Sequence, residues 1–478
     1  MAKHRFLLWM MLPALLFFAC HPERSYIEDQ EARLTFTLDT LFFDTVFTTV
    51  GTVTRSFRVK NPHNQFISID DISLAGGAAS VFRVNVDGNP GIQFSGVEIA
   101  PGDSLYVFVE ATLDPNGSDD ILRIQDSIVF LTNGNLQDID LVAWGQDVHM
   151  IGELEVDVPT IWEADKPYLI IDYVYVDSLA SLTLDPGVRV YLHKDAMIYV
   201  DGTLQLLGTR DEPIGISGDR LEEFYDQIPG QWGFIYLSGS SNNNRVLHAE
   251  IRNGTIGVLI SAPPGSGSMP DLEISNTLIN RMSSSGIYAL NAEVSGHNLV
   301  VGDCGGSCLA LVYGGDYRFT HSTFANFWPS GFSTRQLPAV LLTDYFGTLN
   351  EEGNLEVYTG GQFDQAEFRN SIIYGSQAME ILIDSYDDLQ LNYLFDYCLT
   401  RIHEDSSRYL DDPLFTHILN NLNPLFDSVP VSYELDTLSP AIDAGLSSHA
   451  IAFPFDLNGN SRVDDEAPDL GAYERIEW

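Results

Sequence analysis

The chain has 478 residues with 67 acidic against 24 basic side chains, a formal net charge of −43, and 45% hydrophobic against 19% charged residues. That balance is globular, and the length suits two or three domains or one domain plus a solenoid. Lysine occurs only at Lys3, Lys60, Lys166 and Lys194. A surface this acidic repels phosphate groups, which excludes nucleic acid as a partner and leaves neutral glycans, cations and basic proteins.

Lys3, His4 and Arg5 precede an apolar run from Leu7 to Phe18, too short to span a bilayer and of the length of a signal-peptide core. The run ends in Leu16-Phe-Phe-Ala-Cys20, which resembles the bacterial lipobox, apart from Phe18 where a small residue is usual. The resemblance implies a signal peptide over 1–19, a lipidated Cys20 as the first mature residue, and a membrane partner through that anchor. Several acyl chains, at about 0.8 kcal/mol per buried methylene, hold such a protein stably. Residues 20–33 lack a hydrophobic pattern and are expected to form a tether. Their acids Glu23, Glu28, Asp29 and Glu31 resemble the acidic stretch of surface-exposed Bacteroidetes-type lipoproteins, which implies an outer-membrane protein facing the exterior.

From 34 to 150 short alternating segments follow one another: Leu34–Leu38, Ser56–Asn61, Phe66–Asp70, Leu105–Ala111 and Asp126–Leu131. Turn chemistry at Asn61-Pro, Gly76-Gly, Asp87-Gly-Asn-Pro-Gly91 and Asn133-Gly-Asn135 separates them, which predicts a β-sandwich. Gly51-Thr-Val, Phe57-Arg-Val-Lys-Asn-Pro62, Ile67–Ile72 and Ile99-Ala-Pro-Gly-Asp-Ser-Leu105 resemble immunoglobulin-like modules of the ASPM/SPD-2/Hydin type. Such modules are spacers or protein-binding units.

The stretch 155–430 carries short strands with one- or two-residue corners: Leu182-Thr-Leu-Asp-Pro-Gly-Val-Arg-Val-Tyr191, Ala196–Thr209, Glu212–Gly218 and Gly230–Leu237. Their order resembles the entry coils of bacterial surface β-helix proteins and implies a right-handed parallel β-helix. Similar rungs recur from Ile251 to Ile279, Val301 and Phe324, spaced as single coils of a little over twenty residues. Asn253, Asn276, Asn298 and Asn370 sit at rung corners, where Asn tolerates a left-handed backbone; a sugar-binding role is the alternative.

The period breaks over 327–361, which predicts an insertion. There Trp328, Phe332, Tyr345 and Tyr358 offer stacking surfaces and Arg335 a cation; they either bind a glycan or protein ligand or cover an exposed rung. Cys304, Cys308 and Cys398 fit buried core side chains, with one disulfide among them as the alternative.

At the C-terminus Leu438-Ser-Pro-Ala-Ile-Asp-Ala-Gly445 and Ala467-Pro-Asp-Leu-Gly-Ala-Tyr-Glu474 resemble the closing segment of bacterial β-helix surface proteins. The resemblance implies a cap over the last coil, residues 431–478. Asp456, Asn458, Asn460 and Asp464 have the alternation of a calcium loop, but the twelfth position is Ala467. No cofactor is implied; a hydrogen-bonded turn, with Asp443, Arg462 and Asp469 as a structural network, competes with calcium there. The expected protein is thus all-β: an N-terminal sandwich followed by a right-handed parallel β-helix with a C-terminal cap.

No catalytic residue stands out, because the many acids show no pair spacing. Three functions remain open: a noncatalytic surface protein binding glycan or a partner protein, a β-helix polysaccharide lyase or glycoside hydrolase, and a structural or adhesive stalk.

Overall fold

The computed structural model describes residues 24–476 apart from 49, 116, 350–352, 387–390, 404–408, 410, 428–432 and 465. The expected signal peptide and Cys20 lie outside the described residues. The chain is all-β and divides into two compact units, residues 1–116 with 120–146, and residues 117–119 with 147–478.

In the first unit two five-stranded sheets share one core. One sheet runs Thr35–Phe36, Arg55–Lys60, Ser104–Ala111, Phe82–Val86, Asn89–Gly91. The other runs Thr40–Phe47, Asn135–Gln146, Leu122–Thr132, Ile67–Leu74, Gln93–Ile99. Alternation places Phe43, Phe57, Phe82, Ile69, Val107 and Phe130 inward. Asn133 and Gly134, with φ of 50° and 79°, make the tight turn joining the two longest strands. The Thr40–Phe47 strand pairs parallel to Asn135–Gln146 and was not anticipated.

The expected tether is corrected over its described part. Ile27 donates its amide to the Phe66 carbonyl and Phe66 donates to Ser25. Arg24 and Tyr26 reach the Glu98 carboxylate at 2.7 and 2.6 Å. The segment adds a short edge to the sheet because Phe66 would otherwise leave its amide unpaired.

The second unit winds as stacked parallel strands. Apart from one antiparallel hairpin, each strand pairs in parallel with a segment one coil away along the chain. The pairing begins at His149–Val156 against Tyr168–Val176, earlier than the expected start at 155. It continues to Leu399–Thr400 against Leu419–Asn420.

Three ladders result. In one of them the inward file is Val174, Ile198, Ile235, Val258, Ile287, Leu309, Val340 and Ile381. In another it is Ile251, Ile279, Val301, Phe324 and Ile373, the residues that set the predicted coil spacing. The remaining ladder ends in a ring stack, Phe368 on Phe395 at 4.6 Å and Phe395 on Phe415 at 4.6 Å. Cys304, Cys308 and Cys398 are free thiols buried in this core.

The expected insertion is also corrected. Val340–Thr343 is a rung, paired with Leu309–Thr320 before it and Ile381–Asp384 after it. What protrudes is an antiparallel hairpin, Phe346–Leu349 with Leu355–Tyr358.

The corner asparagines adopt the left-handed backbone expected of them. The strand registers stack His248, Asn276, Asn298, His321, Asn370, Tyr397 and His417 at one corner, with φ between 47° and 54°. Asn298 donates to Asn276 and to the Phe455 carbonyl, both at 2.9 Å. Asn370 donates to Leu446 and accepts from its amide. Asn298 and Asn370 thereby hold backbone groups of the C-terminal segment.

Residues 433–476 do not close the end of the stack, as the cap expectation had it. They form a strap along the flank. Its residues cover Val300 and Ala325 with Tyr433 and Ala472, and Ile372 and Leu399 with Leu435, Ala441 and Leu470. The reason lies in the strands: Thr323–Asn326 and Ile372–Gly375 are buried on both faces, so their outward apolar side chains need a cover.

The two halves of the closing motif pair with each other, Leu470 donating to Ala441 at 2.9 Å and Gly445 to Pro468 at 2.8 Å. Gly471, at φ 93°, admits no side chain, since a Cβ there would lie 2.6 Å from Thr323 Oγ1. Buried Arg462 donates to Glu474, to Asn298 Oδ1 and to the Gly471 carbonyl. Its acidic partner is Glu474 rather than the expected aspartates. Asp469 accepts the amides of Asp443 and Arg475.

Replacing Arg462 by Ala leaves the Glu474 carboxylate buried without its partner. The expected loss, measured by urea unfolding, is roughly 3–5 kcal/mol.

Candidate functional site

A repeated tripeptide places tyrosines on one outer face. Val174-Tyr175-Val176, Ile198-Tyr199-Val200, Ile235-Tyr236-Leu237 and Ile287-Tyr288-Ala289 each send two aliphatic side chains inward and the ring outward. The registers continue the row as Tyr175, Tyr199, Tyr236, Leu259, Tyr288, Ala310 and Leu341, one residue per coil. Tyr175 and Tyr199 have ring centroids 5.6 Å apart, and Tyr199 and Tyr236 4.8 Å, the second pair edge to face. All three rings are half-buried.

Beside the rings runs a polar row. Tyr175 donates its hydroxyl to Asp201 Oδ2 at 2.7 Å, and Ser238 and Ser240 donate to the other oxygen. Tyr236 and Ser261 share a hydrogen bond of 3.1 Å. The Asp201 hydrogen bond pushes the Tyr175 phenol up to about 12, so it remains a neutral donor across the physiological range. A shallow pocket of about 560 Å³ opens here between Tyr173, Tyr175, Tyr199, Met197, Lys194 and Asp201. Half-buried rings flanked by hydroxyls and a carboxylate present apolar faces and directional hydrogen bonds together, the pairing that orients a polar ring ligand.

The protruding hairpin closes the far end of the same face. Phe346 packs with Tyr288, Tyr313 and Leu341 against Leu290, Ala310 and Val312. Tyr358 stacks on Phe346 at 5.0 Å and is 38% exposed. Tyr345 donates to Asp384 Oδ2 at 2.5 Å, which pushes its phenol up to about 12 as well.

Tyr345 and Tyr358 thus join the row, whereas Trp328 and Arg335 do not. Trp328 is buried against Phe332, with its indole nitrogen donating to Ser333. Phe332 is 45% exposed but spends one ring face on Trp328. Arg335 is buried in a two-pronged pair with Glu380, at 2.6 and 2.8 Å, where Glu380 also accepts the amides of Ala339 and Gln377. These side chains fasten the loop after Asn326, and the expectation that Trp328 and Arg335 contact ligand is corrected. Sequence reasoning missed Tyr175, Tyr199, Tyr236 and Tyr288, although their aliphatic–Tyr–aliphatic setting was there to find.

The weak calcium candidates form a turn. Asp456 accepts the Asn460 amide at 2.6 Å, the Asn460 side chain at 3.1 Å and the Glu474 amide at 2.8 Å. Asn458 donates to Glu434, and Asp464 points to solvent.

No protein-family model and no curated protein matches the sequence. Among solved structures, the catalytic domain of a family 87 α-1,3-glucanase in complex with nigerose aligns over 78% of this chain and 88% of its own, at 10% identity and a TM-score of 0.23. A PapD-like ASH domain of human CEP192 aligns over 25% of this chain and 87% of its own, at 9% identity and a TM-score of 0.17. A family 123 glycoside hydrolase from Clostridium perfringens aligns at 7% identity and a TM-score of 0.18; the alignment spans 24% of this chain and about a quarter, 26%, of that protein. Overlaps this loose carry no inference about activity.

Replacing Asp201 by Asn removes the negative charge that holds the Tyr175 proton. The expected outcome is one phenol whose titration midpoint falls from about 12 toward an ordinary tyrosine value, read as a difference in tyrosinate absorbance between the two proteins.

Proposed function

We propose that this chain is a lipid-anchored cell-surface protein that binds glycan without turning it over, along the outward tyrosine row of a right-handed parallel β-helix. The single observation that carries the reading is the one-ring-per-coil register of Tyr175, Tyr199 and Tyr236 beside the Asp201–Ser238–Ser261 row. Coils lie about 4.8 Å apart, a spacing comparable to one sugar unit of an extended chain. Successive sugars would then meet successive rings, with hydroxyls at hand for their polar edges.

The lipobox ending at Cys20 supports the anchor, and the Bacteroidetes-type resemblance supports the outer face of the outer membrane. The first unit, with its resemblance to immunoglobulin-like modules of the ASPM/SPD-2/Hydin type, is assigned as a sandwich spacer. A partner protein in place of glycan, or a bare stalk, are the other outcomes of the tests below.

A glycosidase or lyase remains the second reading. Hydrolysis places two carboxyl groups about 5–10 Å apart across the scissile bond. Asp201 and Asp384 of the polar row are separated by six coil steps, about 29 Å at the standard strand spacing, and each is engaged by a tyrosine hydroxyl. Asp177, one coil before Asp201, caps the amide of Leu179.

Binding to neutral polysaccharides, measured on a glycan array and by titration, is expected to weaken roughly tenfold in each of Tyr199→Ala and Tyr236→Ala, a cost of about 1–2 kcal/mol per ring. Unchanged binding in both variants would remove the tyrosine row from the function. Release of reducing ends or unsaturated sugars, abolished by one carboxylate substitution, would establish the enzyme reading instead. Metabolic labelling with a radioactive fatty acid is expected to mark the wild-type chain and not Cys20→Ala, and protease treatment of intact cells is expected to degrade the anchored protein.

A further inference from the structure

A second feature stands apart from the tyrosine row. The flank strap and the adjoining ladder enclose a groove of about 350 Å³, lined on the coil side by Arg210, His248, Arg252, Asn280 and Arg281 and on the strap side by Tyr473. Three guanidiniums meet two carboxylates there, Glu250 and Glu434, in a chain whose net charge is −43.

The carboxylates take up only part of the charge. Glu250 pairs with Arg252, and Glu434 accepts the Asn458 side chain at 2.8 Å. Arg210 donates to the Asn458 carbonyl at 3.3 Å. Arg281 donates to the Asp226 carbonyl at 3.2 Å, and among the described residues no carboxylate lies in ion-pair range of it. Burial, then the neighbouring Arg281 charge, pulls the Arg252 guanidinium below its ordinary value, so the two cations feel each other across the groove.

The second observation is Asn280. The residue is 3% exposed, lines the groove, and its side-chain oxygen is buried without a hydrogen-bond partner. Oxygen and nitrogen of a carboxamide exchange places with a simple flip, which leaves a donor or an acceptor ready for an entering group. A buried polar group left unsatisfied costs about 1–3 kcal/mol, and a ligand in the groove would recover it.

We propose that this groove is a second binding site, independent of the tyrosine row, which takes the acidic group of an anionic saccharide between Arg252 and Arg281. A planar guanidinium matches the two oxygens of a carboxylate or sulfate, and the volume suits one or two sugar units. Arg210 sits further along, where it would meet a neighbouring unit. Both acidic groups share this chemistry, so the probes separate them.

The test is affinity electrophoresis of the purified full-length chain in native gels at about 0.1 M salt, where long-range repulsion from the acidic surface is damped beyond about 10 Å. Gels contain polygalacturonate, dextran sulfate or unmodified dextran. Retardation is expected in polygalacturonate, in dextran sulfate, or in both, and the gel that retards identifies carboxylate or sulfate as the ligand group. Retardation no greater in the charged gels than in dextran would overturn the proposal.

The Arg252→Gln/Arg281→Gln double variant is expected to bind at least tenfold more weakly. Asn280→Asp, which adds a negative charge with little change in volume, is expected to do the same. Arg318→Gln, a cation paired with Asp316 on another part of the surface, is the control and is expected to bind as the wild type. Retardation retained in both groove variants, or lost equally in Arg318→Gln, would overturn the site. Circular dichroism establishes that each variant is folded, and neutral-glycan binding measured on the same proteins reports separately on the tyrosine row.

Discussion

The in-register hydrogen bonding of each coil to the next is the constraint on which the second unit depends. A strand in the middle of the stack has its backbone groups paired above and below, so a coil has no stability apart from its neighbours. Because side chains alternate with a period of two, a slip of one residue would turn every inward aliphatic outward. The register is held where like sits over like, as in the Val174–Ile381 file and in the Phe368–Phe395–Phe415 ring stack. It is also held at corners, where Asn, His and Tyr accept a left-handed backbone. The row of outward tyrosines is a by-product of the same rule: once Ile198 and Val200 point in, Tyr199 has to point out.

The C-terminal strap answers a problem the stack creates for itself. Strands such as Ile372–Gly375 are apolar on both faces, so the ladder has an oily outer stripe. The strap buries that stripe and ties itself to the corner residues through Arg462, Asn298 and Asn370. A polar network of this kind is stabilising only when complete, which is why Arg462, Glu474 and Gly471 belong together.

The parts of the fold that depend on local repetition were legible in the sequence. The spacing Ile251, Ile279, Val301, Phe324 is the observed inward file, and the corner asparagines carry the backbone expected of them. What escaped had distant causes. Val340–Thr343 has no corner residue of the usual kind before it and was absorbed into the supposed insertion. The partner of Arg335 is Glu380, 45 residues away, and no spacing rule connects the two, so an exposed cation was expected where a buried ion pair exists. The strap was mistaken for an end cap because its motif states that it closes something and not which surface it closes. The unbroken apolar runs at Leu299-Val-Val301 and Ile372-Ile373 were the clue, since a strand with one wet face would have alternated. The tyrosine row was visible as a tripeptide repeated at uneven intervals, and uneven intervals hide a motif from any search for a fixed period.

The strap reaches far back along the chain. Arg210 meets Asn458 across 248 residues, and Arg462 meets Asn298 across 164. A polypeptide made from its N-terminus presents the middle of the stack long before the residues that shield it exist. Until the strap residues from Tyr433 to Tyr473 have emerged, the stripe through Val300, Ala325 and Ile372 lacks the cover they give it. Arrival of the strap, rather than completion of the winding, decides when that stripe is covered.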